Sequence, residues 1–394
     1  MLIFLSGCSS SRFSAKKNYN LTPFAPVRVL MSEAGEDYRF LVEQTVILSN
    51  EEKEIAVVKS GNSMYFETTN NYLQLKIADR TFRGKYFSIR PDEEGSFLYF
   101  NNKKYRGIFK FINEDGKVRL INSLPLEEYV MGVVPAEMPV GKNNDYFEAL
   151  KAFAICVRTY AISKMSNSNS SFDVYLDTRD QVYGGESAEK KLSNQAVEET
   201  KNLILAYDGK PAIVYYHSTC GGHTEKASNV FPVPDLPYLK GVIDGDPPNC
   251  SSSPNFNWEE KFPDKLFIQR LADANLINRN NYKLTNVEVI DRDESGRVKQ
   301  LSIKLTSQEG EEKTVSIQGN RIRYVLKQAN SSGILKSTLF DITMNNNYVI
   351  INGRGNGHGV GLCQWGALHL SVQGESFNKI LSFYFPGTNI MEYK

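Results

Sequence analysis

Glu137 stands between two prolines. In Ser123-Leu-Pro-Leu-Glu-Glu-Tyr-Val-Met-Gly-Val-Val-Pro-Ala-Glu-Met-Pro139, the apolar positions Leu126, Val130, Val133 and Val134 space as a short helix with Pro125 in its first turn. Pro135 and Pro139 then bracket the glutamate, and the spacing predicts that the helix stops at Pro135. Proline lacks an amide donor and biases the residue before it to extended geometry. A carboxyl on so stiff a corner suits general acid or base work, which needs a proton carrier held in one place. Taken alone, the segment reads more readily as an ordinary turn with an exposed glutamate, the default for that residue type.

Two further groups of residues have chemical potential. His217-Ser-Thr-Cys-Gly-Gly-His223 is followed, across a loop containing Pro232, Pro234, Pro237, Pro247 and Pro248, by Cys250. His217, Cys220 and Cys250 could supply ligands to a structural zinc, which takes four nitrogen or sulfur donors. In an oxidising compartment Cys220 and Cys250 are instead a natural disulfide closing the loop, and this is the preferred reading; free thiols are the third. Near the C-terminus, Gly353, Gly355, Gly357, Gly359 and Gly361 alternate with Arg354, Asn356 and His358, and Gln364 and Trp365 follow. No G-x-G-x-x-G or G-x-x-x-x-G-K-[ST] pattern occurs, which argues against a phosphate loop. Alternating glycines let the backbone approach a bulky ligand, and His358, Gln364 and Trp365 suit a sugar chain through hydrogen bonds and stacking. Cys363 near His358 has no third group to orient a nucleophile pair.

The elements that must position these residues are readable from periodicity. A helix expected over 145–165 puts Leu150, Phe153, Ala154, Val157, Tyr160 and Ala161 on one arc, with Arg158 on its shoulder, where a guanidinium can reach a cleft or equally stay a plain surface group. Short alternating runs from 21 to 120, broken by turns such as Asp115-Gly116, predict an antiparallel barrel or sandwich. Asp208-Gly209 marks a hairpin within 203–216. Residues 261–343 read as an inserted α+β subdomain. The expected fold is therefore α+β, with a β-rich domain at 21–120 and a core in two parts, 121–260 and 344–394, around the insert.

Of the 394 residues, 46 are basic and 45 acidic, a net charge of +1, so no global field favours nucleic acid. The composition is 41% apolar and 11% aromatic, ample for sizeable cores. The start, Met1-Leu-Ile-Phe-Leu-Ser-Gly-Cys8, resembles a bacterial lipoprotein signal ending in a lipobox, Leu5-Ser6-Gly7-Cys8, with Cys8 as the acylated residue and 9–20 as a flexible tether. The expectation is an exported, membrane-anchored lipoprotein facing the periplasm or cell wall.

Leu124-Pro-Leu-Glu-Glu-Tyr-Val-x-Gly-Val-Val-x-Ala-Glu-Met-Pro139, Glu148-Ala-Leu-Lys-Ala152 with Arg158-Thr-Tyr-Ala161, His217-Ser-Thr-Cys-Gly-Gly-x-Thr-Glu225, Pro237-Tyr-Leu239 and Gly357-His-Gly-Val-Gly-x-x-Gln-Trp-Gly-Ala367 occur in this order. Together they resemble the SpoIID/LytB family, apart from Cys363, where the family typically carries Ser. The resemblance implies a peptidoglycan lytic transglycosylase that cuts glycan strands between N-acetylmuramic acid and N-acetylglucosamine and leaves 1,6-anhydro ends. Its catalytic glutamate maps onto Glu137, with Arg158, His358, Gln364 and Trp365 as binding or positioning groups. A single carboxyl suffices for that reaction and no cofactor is required; a hydrolase would need a second, for which Asp177 or Asp180 is the first suspect. The alternative implied by the LytB members is a non-catalytic glycan-binding enhancer of a cell-wall amidase.

Overall fold

The computed structural model describes residues 3–4, 25–167, 170–278, 282–345 and 347–393. Cys8 and the tether at 9–20 lie outside these residues. The chain forms two compact units: unit 1 comprises 1–142, 153–204 and 391–394, and unit 2 comprises 143–152 and 205–390. Both mix helices and sheets, so the fold is α+β.

Unit 1 runs past the boundary expected at residue 120. Its main sheet is ordered Ile3–Phe4, Lys53–Val58, Val46–Asn50, Tyr86–Pro91, Ile108–Glu114, Lys117–Leu124, Val27–Glu33, Val174–Tyr175. The last of these comes from beyond residue 120 and pairs in parallel with Val29 and Leu30. A second sheet, of Asp37–Leu41, Ser63–Thr69, Tyr72–Ile77 and Arg80–Gly84, shows why these segments are strands. Leu73, Leu75 and Ile77 are buried, while the residues between them are more exposed, the period-2 pattern of a sheet with one face inward. Phe66 stacks on Phe111 with ring centroids 4.2 Å apart, joining this sheet to the main one. Each such ring contributes roughly 1.5–3 kcal/mol by leaving water.

Three helices follow the strands. Helix α1, Leu126–Glu137, buries Leu126, Tyr129, Val130, Val133 and Val134, a stripe at i, i+3, i+4, i+7, i+8. Glu127 and Glu128 sit in its first turn, where the helix dipole favours negative charge. Helix α2, Phe147–Asn167, contributes 147–152 to unit 2 and the rest to unit 1. Helix α3, Lys191–Glu199, packs against α1.

In unit 2 the expected insert has a buried cluster that extends just past its bounds, to Trp258, Val349 and Ile351. The meander Tyr282–Arg292, Val298–Ser307, Glu312–Gln318 and the helices α4, Asp264–Asp273, and α5, Arg321–Leu326, share one buried cluster with Phe262, Val349 and Ile351. Those three come from the antiparallel sheet Asn257–Pro263, Tyr348–Arg354, Phe340–Asn345. Strand Tyr348–Arg354 feeds the glycine-rich loop, after which come helices α6, Gln364–Val372, and α7, Phe377–Tyr384. The Glu148 carboxylate accepts the amide of Phe377 at 2.7 Å, at the start of α7.

Candidate functional site

The candidate residues divide between the units: Glu137 and Arg158 lie in unit 1, and His217, Cys220, Cys250, His358, Gln364 and Trp365 in unit 2.

In unit 1 the helix does not stop at Pro135. It continues for two residues, so Glu137 is the last residue of α1 and Met138 turns extended, with φ −129° and ψ 138°. A proline in a final turn forfeits one amide bond. The buried neighbours Val133, Val134 and Met138 hold that turn, and the Met138 amide closes it on the Val134 carbonyl at 3.0 Å. Half-buried Glu137 lines an open cleft of about 620 Å³, formed by residues 135–141 with Lys190 and Leu192. Among the described residues lining it, Glu137 is the one carboxylate.

Glu137 Oε1 accepts the main-chain N–H of Val182 at 2.6 Å. The segment carrying Val182 is itself fixed. Its start is added to the main sheet, and there Asp173 takes the Arg28 amide at 2.9 Å and the guanidinium at 3.1 and 2.6 Å. Tyr183 is buried against Gly132, where a Cβ would lie 2.5 Å from the ring, and its hydroxyl donates to Asn122 Oδ1 at 3.0 Å. The Gly184 amide reaches the Gly132 carbonyl at 3.0 Å, and the Tyr129 hydroxyl reaches Gln181 Oε1 at 3.1 Å. Burial pushes both phenols well above their ordinary range, so they remain donors. Sequence reading missed Val182, because a backbone amide has no side-chain signature; the nearby tyrosines were the visible trace.

Arg158 does not reach a cleft. It is fully buried, clamping Glu127 through Nε at 2.8 Å and Nη2 at 2.7 Å and donating to the carbonyls of Leu203 at 2.9 Å and Val197 at 3.3 Å. The shoulder of α2 faces α1 and α3, so its guanidinium finds internal acceptors before it finds solvent. The expected binding role is corrected to a structural one. Asp180 is also engaged, by the Tyr160 hydroxyl at 2.6 Å, the Tyr175 amide at 2.8 Å and Lys164 at 2.7 Å; Asp177 pairs with Arg179 at 2.7 Å.

In unit 2 the glycine-rich loop is closed on the protein itself. At Gly359, φ +86°, a Cβ would lie 2.5 Å from the Arg297 guanidinium, and at Gly361, φ +73°, 2.1 Å from the Tyr215 carbonyl. The alternating glycines thus admit the chain's own atoms, where a ligand was expected. Strands Tyr216–His217 and Leu362–Cys363 run parallel, pairing His217 with Cys363. His217 is buried, its Nδ1–H donating to the Val360 carbonyl at 3.1 Å, and burial lowers its pKa to about 3. His358 accepts the Val360 amide on Nδ1 at 3.1 Å and packs edge-on to Phe231, 5.0 Å between centroids; burial and then His217 hold it well below the usual range. Both imidazoles are neutral near pH 7. Gln364 is buried, and half-buried Trp365 donates its amide to the Ser218 carbonyl at 3.1 Å.

Cys220, Cys250 and Cys363 converge with Asp244, all buried, with their candidate ligand atoms within 4.8 Å of one another. His217 is not in this group, since the Val360 carbonyl orients its ring elsewhere. The expected Cys220–Cys250 disulfide is also absent: both thiols are free, with sulfurs 3.4 Å apart against about 2.05 Å for a bond. Hydrogen bonds from Cys220 and Cys363 depress Cys250, whereas burial raises Cys220 and Cys363. Burial likewise raises Asp244, to about 7. Cys363 and Asp244 were missed as partners because 143 and 24 residues, respectively, separate them in sequence from Cys220.

Residues 114–207 match the family model described as Stage II sporulation protein, and 246–361 match a domain of unknown function. An uncharacterized protein of Brachyspira hyodysenteriae is 30% identical over 371 residues, 93% of each chain. The amidase enhancer of Bacillus subtilis is 29% identical over 66% of this chain and 40% of its own length. Stage II sporulation protein D of Bacillus subtilis is 30% identical over 288 residues, 69% of this chain and 76% of that protein. By this identity and coverage, and by the matching model, the chain belongs to the SpoIID/LytB family.

Proposed function

We propose that the protein is a peptidoglycan lytic transglycosylase with Glu137 as its acid and base. The observation that carries this reading is the single carboxylate, fixed by the Val182 amide at 2.6 Å, at the wall of an open cleft. In the proposed reaction, protonated Glu137 gives its proton to the oxygen linking N-acetylmuramic acid to N-acetylglucosamine as the C1–O bond breaks and an oxocarbenium-like state forms. The resulting carboxylate then takes the proton of the muramic acid 6-hydroxyl, and O6 bonds to C1, closing the 1,6-anhydro ring. No activated water is used, so the two-carboxylate arrangement of hydrolases is not needed. The engagement of Asp177 and Asp180 with neighbouring cations supports that one-carboxylate chemistry.

The test is Glu137→Gln, which keeps shape but cannot cycle a proton. Incubated with intact and amidase-stripped peptidoglycan, wild type yields 1,6-anhydro ends by mass and the variant loses about 10²- to 10⁴-fold in rate. Absence of product from wild type on both substrates overturns the reading. A second reading, a glycan-binding enhancer of a separate amidase, is favoured by the relative named amidase enhancer. It predicts stimulation of added amidase that Glu137→Gln leaves intact. We further propose that Cys8 carries the lipid anchor and that the protein works outside the cytoplasm.

A further inference from the structure

Three thiols and a carboxyl meet in the interior of unit 2, drawn from three separate segments. Cys220 follows strand Tyr216–His217, Asp244 and Cys250 belong to the proline-rich loop, and Cys363 immediately precedes α6. We propose that Cys220, Asp244, Cys250 and Cys363 form a four-ligand structural zinc site. Zinc with thiolate bonds of about 2.3 Å places tetrahedral sulfurs about 3.8 Å apart. The Cys220–Cys250 separation of 3.4 Å and the 4.8 Å limit on the whole set reach that geometry by changes of up to about 1 Å in the pair distances.

The surroundings are those of a built site. Asp244 is held at both oxygens, by the Tyr384 hydroxyl at 2.6 Å and the Cys250 amide at 3.0 Å. The Cys220 amide points at Cys363 Sγ, 3.2 Å away, and the Gly222 amide at Cys220 Sγ, 3.4 Å away. Donors aimed at ligand atoms in this way fix the orientation of a metal's first shell. Gly366 packs so closely that a Cβ would lie 2.0 Å from the Tyr384 hydroxyl and 2.8 Å from Asp244 Oδ1. Three thiolates and a carboxylate around a dication leave excess negative charge, and the buried Arg297 guanidinium lies beside them, donating to the Cys220 carbonyl at 2.7 Å. All four ligands are buried, so the site is closed and serves the fold; zinc here ties the proline-rich loop to α6.

The full chain, purified without chelator, is measured by plasma mass spectrometry and, after exchange, by the absorption of cobalt. The expected result is about one zinc per chain and a tetrahedral cobalt spectrum with a strong thiolate charge-transfer band. Cys363→Ser and Asp244→Asn lower zinc affinity at least tenfold, while Cys156→Ser, a buried thiol outside the cluster, leaves it unchanged. Wild type without stoichiometric metal overturns the proposal, as does a covalent Cys220–Cys250 pair in non-reducing mass maps. Equal zinc affinity in Cys363→Ser also overturns it. Should the ligand variants fail to fold, the wild-type cobalt spectrum decides alone: octahedral bands without thiolate charge transfer refute the site.

Discussion

Arg158 and Glu127 form a two-pronged ion pair, Nε to Oε1 at 2.8 Å and Nη2 to Oε2 at 2.7 Å, with the arginine side chain wholly inaccessible to solvent. Glu127 also accepts the Asn202 amide at 3.3 Å, so one carboxylate joins α1, α2 and the end of the turn after α3. Removing Arg158 leaves the Glu127 carboxylate, only 15% exposed, without its partner. Arg158→Ala therefore lowers unfolding free energy by about 3–5 kcal/mol in urea titration, and Arg158→Lys recovers only part, because an ammonium cannot make the fork.

Gly132→Ala tests whether the wall behind Glu137 matters to the proposed transglycosylase reaction. The new methyl would meet the Tyr183 ring at 2.5 Å, with Gly184 tied to the same residue, so the segment bearing Val182 must move. The expected outcome is a fall in kcat of about tenfold or more with KM little changed, and a stability loss of about 1–3 kcal/mol by calorimetry. An unchanged kcat would separate the Val182 contact from the chemistry.

Asp293 gives a signed pH prediction. Burial first, and then the charge of Glu225, push its carboxyl up to about 6. The native state holds this proton more tightly than the unfolded chain, whose carboxyl titrates near about 3.9. Its contribution is fully present below about pH 3.9 and is lost as pH rises through about 6. Asp293→Asn is accordingly more stable than wild type at pH 8, by about 1–2 kcal/mol after allowance for solvent screening, and the gap closes toward pH 4. Paired urea titrations at the two pH values measure it.

Cys8→Ala tests the anchor. A diacylglycerol thioether plus an amide-linked chain gives stable attachment, at about 0.8 kcal/mol per buried methylene. Wild type is expected in the membrane fraction and the variant in the soluble fraction; equal partitioning refutes the anchor.

Periodic segments were legible where one face is buried. The helix expected over 145–165 appears as Phe147–Asn167. Asp208 and Gly209 take positive φ, at 50° and 72°, as a tight hairpin turn requires. Long-range partnership was not legible. Arg158 reads as a cleft residue on a helical wheel, and only the placement of Glu127 and the Val197 and Leu203 carbonyls turns it inward. The glycine-rich loop was misread for the same reason: spacing announces close approach at Gly359 but does not say that Arg297 is what approaches.

Neither unit is a continuous stretch of chain: the path changes unit after residues 142, 152, 204 and 390. The Tyr393 amide bonds the Asn202 carbonyl at 2.9 Å, within unit 1, so that unit lacks a contact until residue 393 has left the ribosome. In order of synthesis, the last contacts of the Glu137 unit therefore form only after residues 205–390 of the thiol unit have been made. Removal of residues 391–394 should therefore lower the stability of the Glu137 unit by about 0.5–1.5 kcal/mol in urea titration, although every residue lining its cleft is retained.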